Sequence, residues 1–261
     1  PYTTLFRSDK KDRAPCVSAC PAGINVQGYV QLISQGKYTE AVQLIMEKLP
    51  LPGVLGRVCP HPCEAECRRR EVDAPVSIRN LKRFAADQVA LSELPLPDIE
   101  DRPETVAVVG GGPAGLTAAW FLRLKGYGVT IFDAMNQLGG MLRVGIPDYR
   151  LPREVLDREI DRILAIGVDV RLNTRFGRDV TLERLEADGY AAVFMSTGLQ
   201  GSLRLGIEGE EAVDGVVDAI TFLREANLGV EKPPGDRVAV IGGGNVAVDA
   251  ARVARRLGAG S

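Results

Sequence analysis

The chain has 261 residues, 45% hydrophobic and 25% charged, and a net charge of −2. That length holds about two domains with cores of their own, in the composition of an ordinary soluble globular protein. The near-neutral charge excludes a general attraction to nucleic acid or anionic lipid. No apolar run approaches the ~18 residues of a membrane span, and no signal peptide is visible, so a cytoplasmic, reducing compartment is expected.

Taken in chain order, PYTTLFRS (Pro1 to Ser8) is the translation of a common sequencing-adapter end, so natural sequence is expected to begin near Asp9. Residues 9–97 read as helical. Cys16-Val-Ser-Ala-Cys20-Pro21 leads into an apolar stripe through Ile24, Tyr29, Val30, Leu32 and Ile33. Tyr38 to Lys48 continues with Ala41, Val42, Leu44 and Ile45, and Val76 to Leu91 with Ile78, Leu81, Phe84 and Val89. Between them, GRVCPHPCEAECRRR carries Cys59, Cys63 and Cys67, where prolines at 60 and 62 predict a wrapping loop rather than one regular helix. Arg68-Arg69-Arg70 reads as a solvated basic helix end.

All five cysteines precede residue 68, and an odd number cannot pair completely. In a reducing compartment that clustering points to metal or redox chemistry before disulfides. Thiolates converging from loops suit a four-iron cluster, since thiolate donates charge to soft iron. A zinc site using His61, the one histidine, with three thiols is the alternative, and inert buried thiols are the third reading.

A proline-rich linker, Leu94-Pro-Leu-Pro-Asp98, marks the first boundary. Val106 to Val109 is then a strand running into Gly110-Gly111-Gly112-Pro113-Ala114-Gly115, followed by a helical pattern to Gly126 and a second strand ending at Asp133. Gly110 permits the tight turn, Gly112 lets backbone approach a pyrophosphate, and Gly115 lets helix and strand pack closely. Asp133 lies near the ~20-residue offset at which a carboxylate meets a ribose diol. A long loop from Leu138-Gly139-Gly140-Met141 passes Arg150. Arg153 to Ile166 is predicted as a helix, Val168 to Leu172 as a strand, and Ala191 to Met195 as a buried strand entering Ser196-Thr197-Gly198. Asp218 to Asn227 reads as helix. After a hinge at Lys232-Pro-Pro-Gly235, Val238 to Ile241 is predicted as a strand. It enters a second turn, Gly242-Gly243-Gly244-Asn245-Val246-Ala247, and a closing amphipathic helix. Two such turns suggest a flavin held permanently and a nicotinamide that exchanges. Hydride transfer between them asks for no acid–base side chain, so no catalytic residue is expected. A flavin disulfide reductase of thioredoxin-reductase type shares the two turns but needs a redox CxxC near the flavin, and no cysteine follows Cys67.

CVSACPAGINVQGYV, GRVCPHPCEAEC, VAVVGGGPAGL, GGMLRVGIPDYRLPREVLDREI, the Ser-Thr-Gly turn and IGGGNVAVDAARVARRLGA occur in this order. In them the chain resembles the small (β) subunit of NADPH-dependent glutamate synthase. Its relatives include the N-terminal half of dihydropyrimidine dehydrogenase and the NAD(P)H:ferredoxin-type oxidoreductases. The resemblance implies a multidomain protein: an α-helical iron–sulfur domain (9–97), an α/β Rossmann-like FAD-binding domain (98–234), and the start of an inserted Rossmann-like NAD(P)-binding domain (235–261).

It further implies FAD contacts at Gly110, Gly112, Pro113, Ala114 and Gly115, with Asp133 on the adenosine ribose. Gly139, Gly140 and Met141 would follow the pyrophosphate with Arg150 beyond them, and Thr197 and Gly198 would line the flavin side. NADPH or NADH would meet Gly243, Gly244, Asn245 and Val246. For the 4Fe–4S clusters it implies Cys16 and Cys67 in one, and Cys20, Cys59 and Cys63 in the other. The dehydrogenase's glutamine ligand is matched here by Lys82, whose ammonium has no lone pair for iron. The implied role is a subunit passing electrons from NAD(P)H through FAD and iron–sulfur clusters to a larger catalytic subunit or a ferredoxin-type acceptor. A pyrimidine dehydrogenase-type electron-input subunit is one alternative. A zinc-bound structural scaffold is the alternative from another class. The chain is expected to be an internal piece without NAD(P)H oxidation of its own.

Overall fold

The computed structural model describes residues 13–202, 204–210 and 212–261. The stretch expected to be adapter-derived lies outside them. The chain forms two compact units. One holds the described residues up to Asp101 together with Trp120–Gly126 and Glu154–Val168. The other holds Arg102–Ala119, Tyr127–Arg153 and Asp169–Ser261.

The first unit is helical: α1 (Pro15–Ser18), α2 (Val26–Ser34), α3 (Tyr38–Met46), α4 (Pro52–Val58), α5 (Pro62–Ala65) and α6 (Ile78–Gln88). The cysteine stretch is therefore two short helices with a 3-10 turn at Arg68–Glu71, broken where the prolines predict. Asn25 caps α2, its side chain accepting from the Gly28 N–H at 2.9 Å. The stripe Ile24, Val26, Tyr29 and Leu32 is buried with Ala41, Val42, Leu44 and Ile45 of α3. Arg68, Arg69 and Arg70 are exposed, as a solvated helix end should be. The proline-rich linker is tethered: the Leu94 and Pro95 carbonyls accept from Arg162 at 2.8 and 2.5 Å. Arg162 stands on α9 (Arg153–Leu164), which follows α7 (Pro113–Arg123) and the short α8 (Met141–Val144).

The second unit carries a four-stranded sheet in the order β3-β2-β1-β4, with β1 (Thr105–Val109), β2 (Gly128–Phe132), β3 (Val168–Arg171) and β4 (Ala192–Met195). β1 pairs in parallel with β2, Val108 opposite Ile131, and with β4, Val109 opposite Met195. Parallel strands of this kind are Val- and Ile-rich because both faces are covered. Ala107 and Val109 pack with Phe132, Val180 and Leu185, the last on α10 (Leu182–Ala187).

Two expectations are corrected here. β4 exists but is not buried: Phe194 and Met195 are 42% and 50% exposed. Its apolar composition reads as two-sided cover, whereas among the described residues it has β1 on one side only. Val238 to Ile241 forms no strand, and Ile241 is 71% exposed. A strand is defined by its ladder, and what this segment pairs with is slight: the Val238 N–H donates to the Ser261 carbonyl at 2.9 Å. The helices around it do pack. Phe222 and Leu223 of α11 (Ala219–Asn227) bury against Ala250, Val253 and Ala254 of α12 (Asn245–Arg256). No helix among the described residues is long and apolar enough to cross a membrane.

Candidate functional site

The first glycine turn leaves β1 at Gly110, whose φ of +103° is open to glycine and strained for other residues. Its N–H donates to the Phe132 carbonyl at 2.8 Å, and the next N–H, of Gly111, donates to the Asp133 carboxylate at 2.6 Å. The other Asp133 oxygen accepts from the Met135 N–H at 2.7 Å. A carboxylate offers about four lone-pair sites, so this buried group keeps acceptor capacity for a sugar diol. A Cβ on Gly115 would stand 1.8 Å from the Gly110 carbonyl oxygen, which is the close packing read from sequence. The Ser196 hydroxyl donates to the Val109 and Gly110 carbonyls, both at 3.0 Å, and locks β4 to the turn.

A second glycine pair faces the first. The Gly139 N–H donates to the Gly111 carbonyl at 2.8 Å, and a Cβ on Gly140 would lie 2.8 Å from the Gly112 Cα. Two bare backbones therefore meet beside Pro113 and Ala114, which are exposed at the start of α7. The free N–H groups of such a start favour a pyrophosphate, so the residues fit the diphosphate of a dinucleotide. Met141 opens α8 directly after this pair. Thr197 and Gly198 follow β4 and are exposed.

Arg150 is held by a partner from the second glycine turn's helix. Its guanidinium binds Asp249 at 2.5 Å, and the Tyr149 hydroxyl donates to the same carboxylate at 3.1 Å. Asp249 stands one turn into α12, after the second glycine turn. There Gly242 takes a φ of +122°, and Gly243, Gly244, Asn245 and Val246 are exposed, with nothing within 4 Å of a Cβ on Gly243 or Gly244.

The cysteines lie in two overlapping sets, with Cys20 acting on Cys16 as well as on Cys63. Cys16 and Cys67 line one cleft of about 760 Å³ with Arg13 and Glu66. Cys20 and Cys59 stand close enough to Cys63 for their charges to oppose its ionisation. Burial pushes the Cys63 thiol up to about 11, with Cys59 and Cys20 adding to it. A group of thiols whose charges oppose one another is a donor set that iron relieves, because ligation deprotonates it. The His61 N–H donates to the Cys59 sulfur at 3.3 Å, a bond of the type that tunes cluster thiolates. Among the described residues no three His, Cys, Asp or Glu side chains are grouped as around a single ion. His61 instead faces Glu64, Nδ1 to Oε2 at 3.3 Å. A four-iron unit binds each thiolate through a different iron and needs no such convergence.

Lys82 is buried beside the second group. Burial holds its ammonium below the usual lysine range, opposed by the charges of Cys59, Cys20, Cys63 and Glu159. Glu159 itself is fully buried and accepts from the Gly53 and Val54 N–H groups at 2.5 and 2.9 Å, at the start of the helix that delivers Cys59. Burial pushes its carboxyl up to about 7 against those two bonds.

Residues 104–260 match the family described as pyridine nucleotide-disulphide oxidoreductase. The chain belongs to that family. Residues 7–93 match dihydropyrimidine dehydrogenase domain II, 4Fe-4S cluster, so an iron–sulfur domain precedes the pyridine-nucleotide oxidoreductase domain and its parallel sheet. The NADP(+)-dependent formate dehydrogenase subunit beta of Moorella thermoacetica is 46% identical over 94% of this chain and 38% of its own length. The NADPH-Fe(3+) oxidoreductase subunit beta of Geobacter sulfurreducens is 44% identical over 98% of this chain and 39% of its own. The chain thus spans under two fifths of these relatives, and neither carries the name glutamate synthase. Mycobacterium tuberculosis FprA in complex with NADPH superposes with a TM-score of 0.51 at 26% identity, over 58% of this chain and 36% of that one.

Sequence reasoning missed Glu159, Arg162 and Asp249. The signal for Glu159 was present: it falls on the apolar stripe Val155, Leu156, Ile160 and Ile163 of α9, where a solvated glutamate has no place.

Proposed function

We propose that the chain is the electron-input part of a cytoplasmic NAD(P)H-dependent FAD/iron–sulfur oxidoreductase. It would serve a larger catalytic subunit or a ferredoxin-type acceptor, with no nucleic acid or membrane partner. FAD would lie along Gly110, Gly112, Pro113, Ala114 and Gly115, with Asp133 on its ribose. Gly139, Gly140 and Met141 would follow the pyrophosphate, and Thr197 and Gly198 the flavin side. The nicotinamide cofactor would meet Gly243, Gly244, Asn245 and Val246 at the start of an inserted second Rossmann-like domain from residue 235, after an FAD domain from 98. NADPH is favoured over NADH by the names of both relatives and by the FprA complex. Arg150 we assign to Asp249 rather than to the pyrophosphate.

The observation that carries this reading is the meeting of the Gly112 and Gly140 backbones beside a buried Asp133, which leaves room for a diphosphate and an acceptor for a diol. Flavin, when bound, converts a two-electron hydride into single electrons that iron–sulfur centres carry. The residues of this chain hold, orient and tune. Cys20 and Cys59 near Cys63, and Cys16 with Cys67 along one cleft, are the thiols we assign to two iron–sulfur positions. An absorption spectrum of the oxygen-free protein tests the proposal. Flavin bands with a broad iron–sulfur shoulder are expected, and colourless protein carrying zinc would overturn it.

A further inference from the structure

Lys82 sits on the face of α6 that carries Ile78, Ala85 and Ala86, and only 4% of it reaches solvent. Its ammonium makes no hydrogen bond or ion pair with another described residue. The charges it feels are the Cys59, Cys20 and Cys63 thiols and Glu159, and the Glu159 oxygens are taken up by the Gly53 and Val54 N–H groups. A lysine this far covered is costly to hold unless opposite charge stands near it. Lysine ordinarily escapes by snorkelling its head to the surface along its own stem. Lys82 stays all but 4% covered next to the Cys59, Cys20 and Cys63 thiols, so the fold holds a cation where thiolates would supply negative charge.

Three thiolates around an iron–sulfur unit supply it. The ammonium offers three N–H donors and no lone pair, so it can bond to sulfur and cannot ligate iron. We propose that Lys82 is a positioning residue of the Cys20–Cys59–Cys63 site, donating N–H···S hydrogen bonds to the iron–sulfur unit those thiolates hold and offsetting one of their charges. This rests on the reading of that site given above. Its consequence is electrostatic: reduction adds one electron to an already anionic unit, and a buried cation beside it favours the reduced form. Net charge and hydrogen bonds to sulfur are the levers that set such potentials. Lys82 therefore raises the potential of this centre, whereas a neutral residue in its place would leave it lower.

The test is an EPR-monitored redox titration of the full chain loaded with iron and sulfide without oxygen. Lys82→Met should retain iron and sulfide and disfavour reduction at least tenfold, a fall of ~59 mV for a one-electron couple. Lys82→Arg should recover most of that fall. An unchanged potential in a fully loaded Lys82→Met protein overturns the proposal. Should that variant fail to load, the unmutated protein with ¹⁵N-lysine decides by electron–nuclear double resonance of the reduced centre. Weak nitrogen coupling with exchangeable protons is expected. No lysine coupling, or the strong coupling of a nitrogen bonded to iron, overturns it. An unmutated protein that binds no iron or sulfide defeats the reading of the site itself. A loaded site indifferent to Lys82 defeats this inference alone.

Discussion

At Gly115 the smallest possible addition is too large. An alanine Cβ would stand 1.8 Å from the Gly110 carbonyl oxygen and 2.9 Å from the Ser196 hydroxyl, so Gly115→Ala must push α7 off β1. A loss near the upper end of the ~1–3 kcal/mol typical of overpacking is expected, with flavin lost in parallel. Urea denaturation and flavin content measure both. Asp133→Asn tests the carboxylate: an amide leaves either the Gly111 or the Met135 N–H facing an N–H, at a cost of ~1–3 kcal/mol. FAD affinity should fall with it, as read by fluorescence titration. Glu159 gives a pH signature. The unfolded chain releases this proton near 4.5 and the folded chain holds it to about 7, so the folded state binds more protons between those values. Stability contributed by the protonated group is complete below 4.5 and lost as pH rises through 7, by about 3 kcal/mol. Denaturation midpoints across that window should slope downward, and Glu159→Gln should flatten the slope. Residues were legible where geometry dictates one residue type, as at Gly110 and Gly115. They were less so where a charged side chain turns inward, because only tertiary packing decides that Lys82 and Glu159 face a core.

α4 and α6 cross at Gly56, where a Cβ would come within 2.7 Å of the Arg83 Cα. Backbone cannot yield as a flexible side chain can, so Gly56→Ala must spread the two helices. Since Cys59 caps the end of α4 and Lys82 precedes Arg83 on α6, the variant should lose iron as well as ~1–3 kcal/mol of stability. Normal iron content alongside reduced stability would separate the crossing from the cysteine geometry. Most elements were legible from their apolar period: the helices at Val26, Tyr38 and Ile78 and the strands at Val106 and Gly128 lie where the pattern puts them. The failures share a cause. A strand such as Val238 to Ile241 has the right residues, but pairing is a property of two segments and leaves no mark on one. The exposure of β4 is the same lesson on a single edge.

The helical unit is completed by residues far along the chain, Trp120–Gly126 and Glu154–Val168. Residues 9–97 expressed alone would therefore lack Glu159 for the Gly53 and Val54 N–H groups and Arg162 for the Leu94 and Pro95 carbonyls. Each buried group left without its partner costs ~1–3 kcal/mol, so that piece should unfold at much lower urea than the full chain. Equal midpoints would show that the later residues add nothing. The proline-rich linker is legible as a break in sequence pattern, but the return of α9 to the helical unit is not, because no local signal records which distant backbone a helix will serve. Chimeras between relatives inherit that constraint. A crossover placed at the linker hands the iron–sulfur module of one parent the α9 of another, and the module stays intact only when positions 154–168 are inherited with its cysteines.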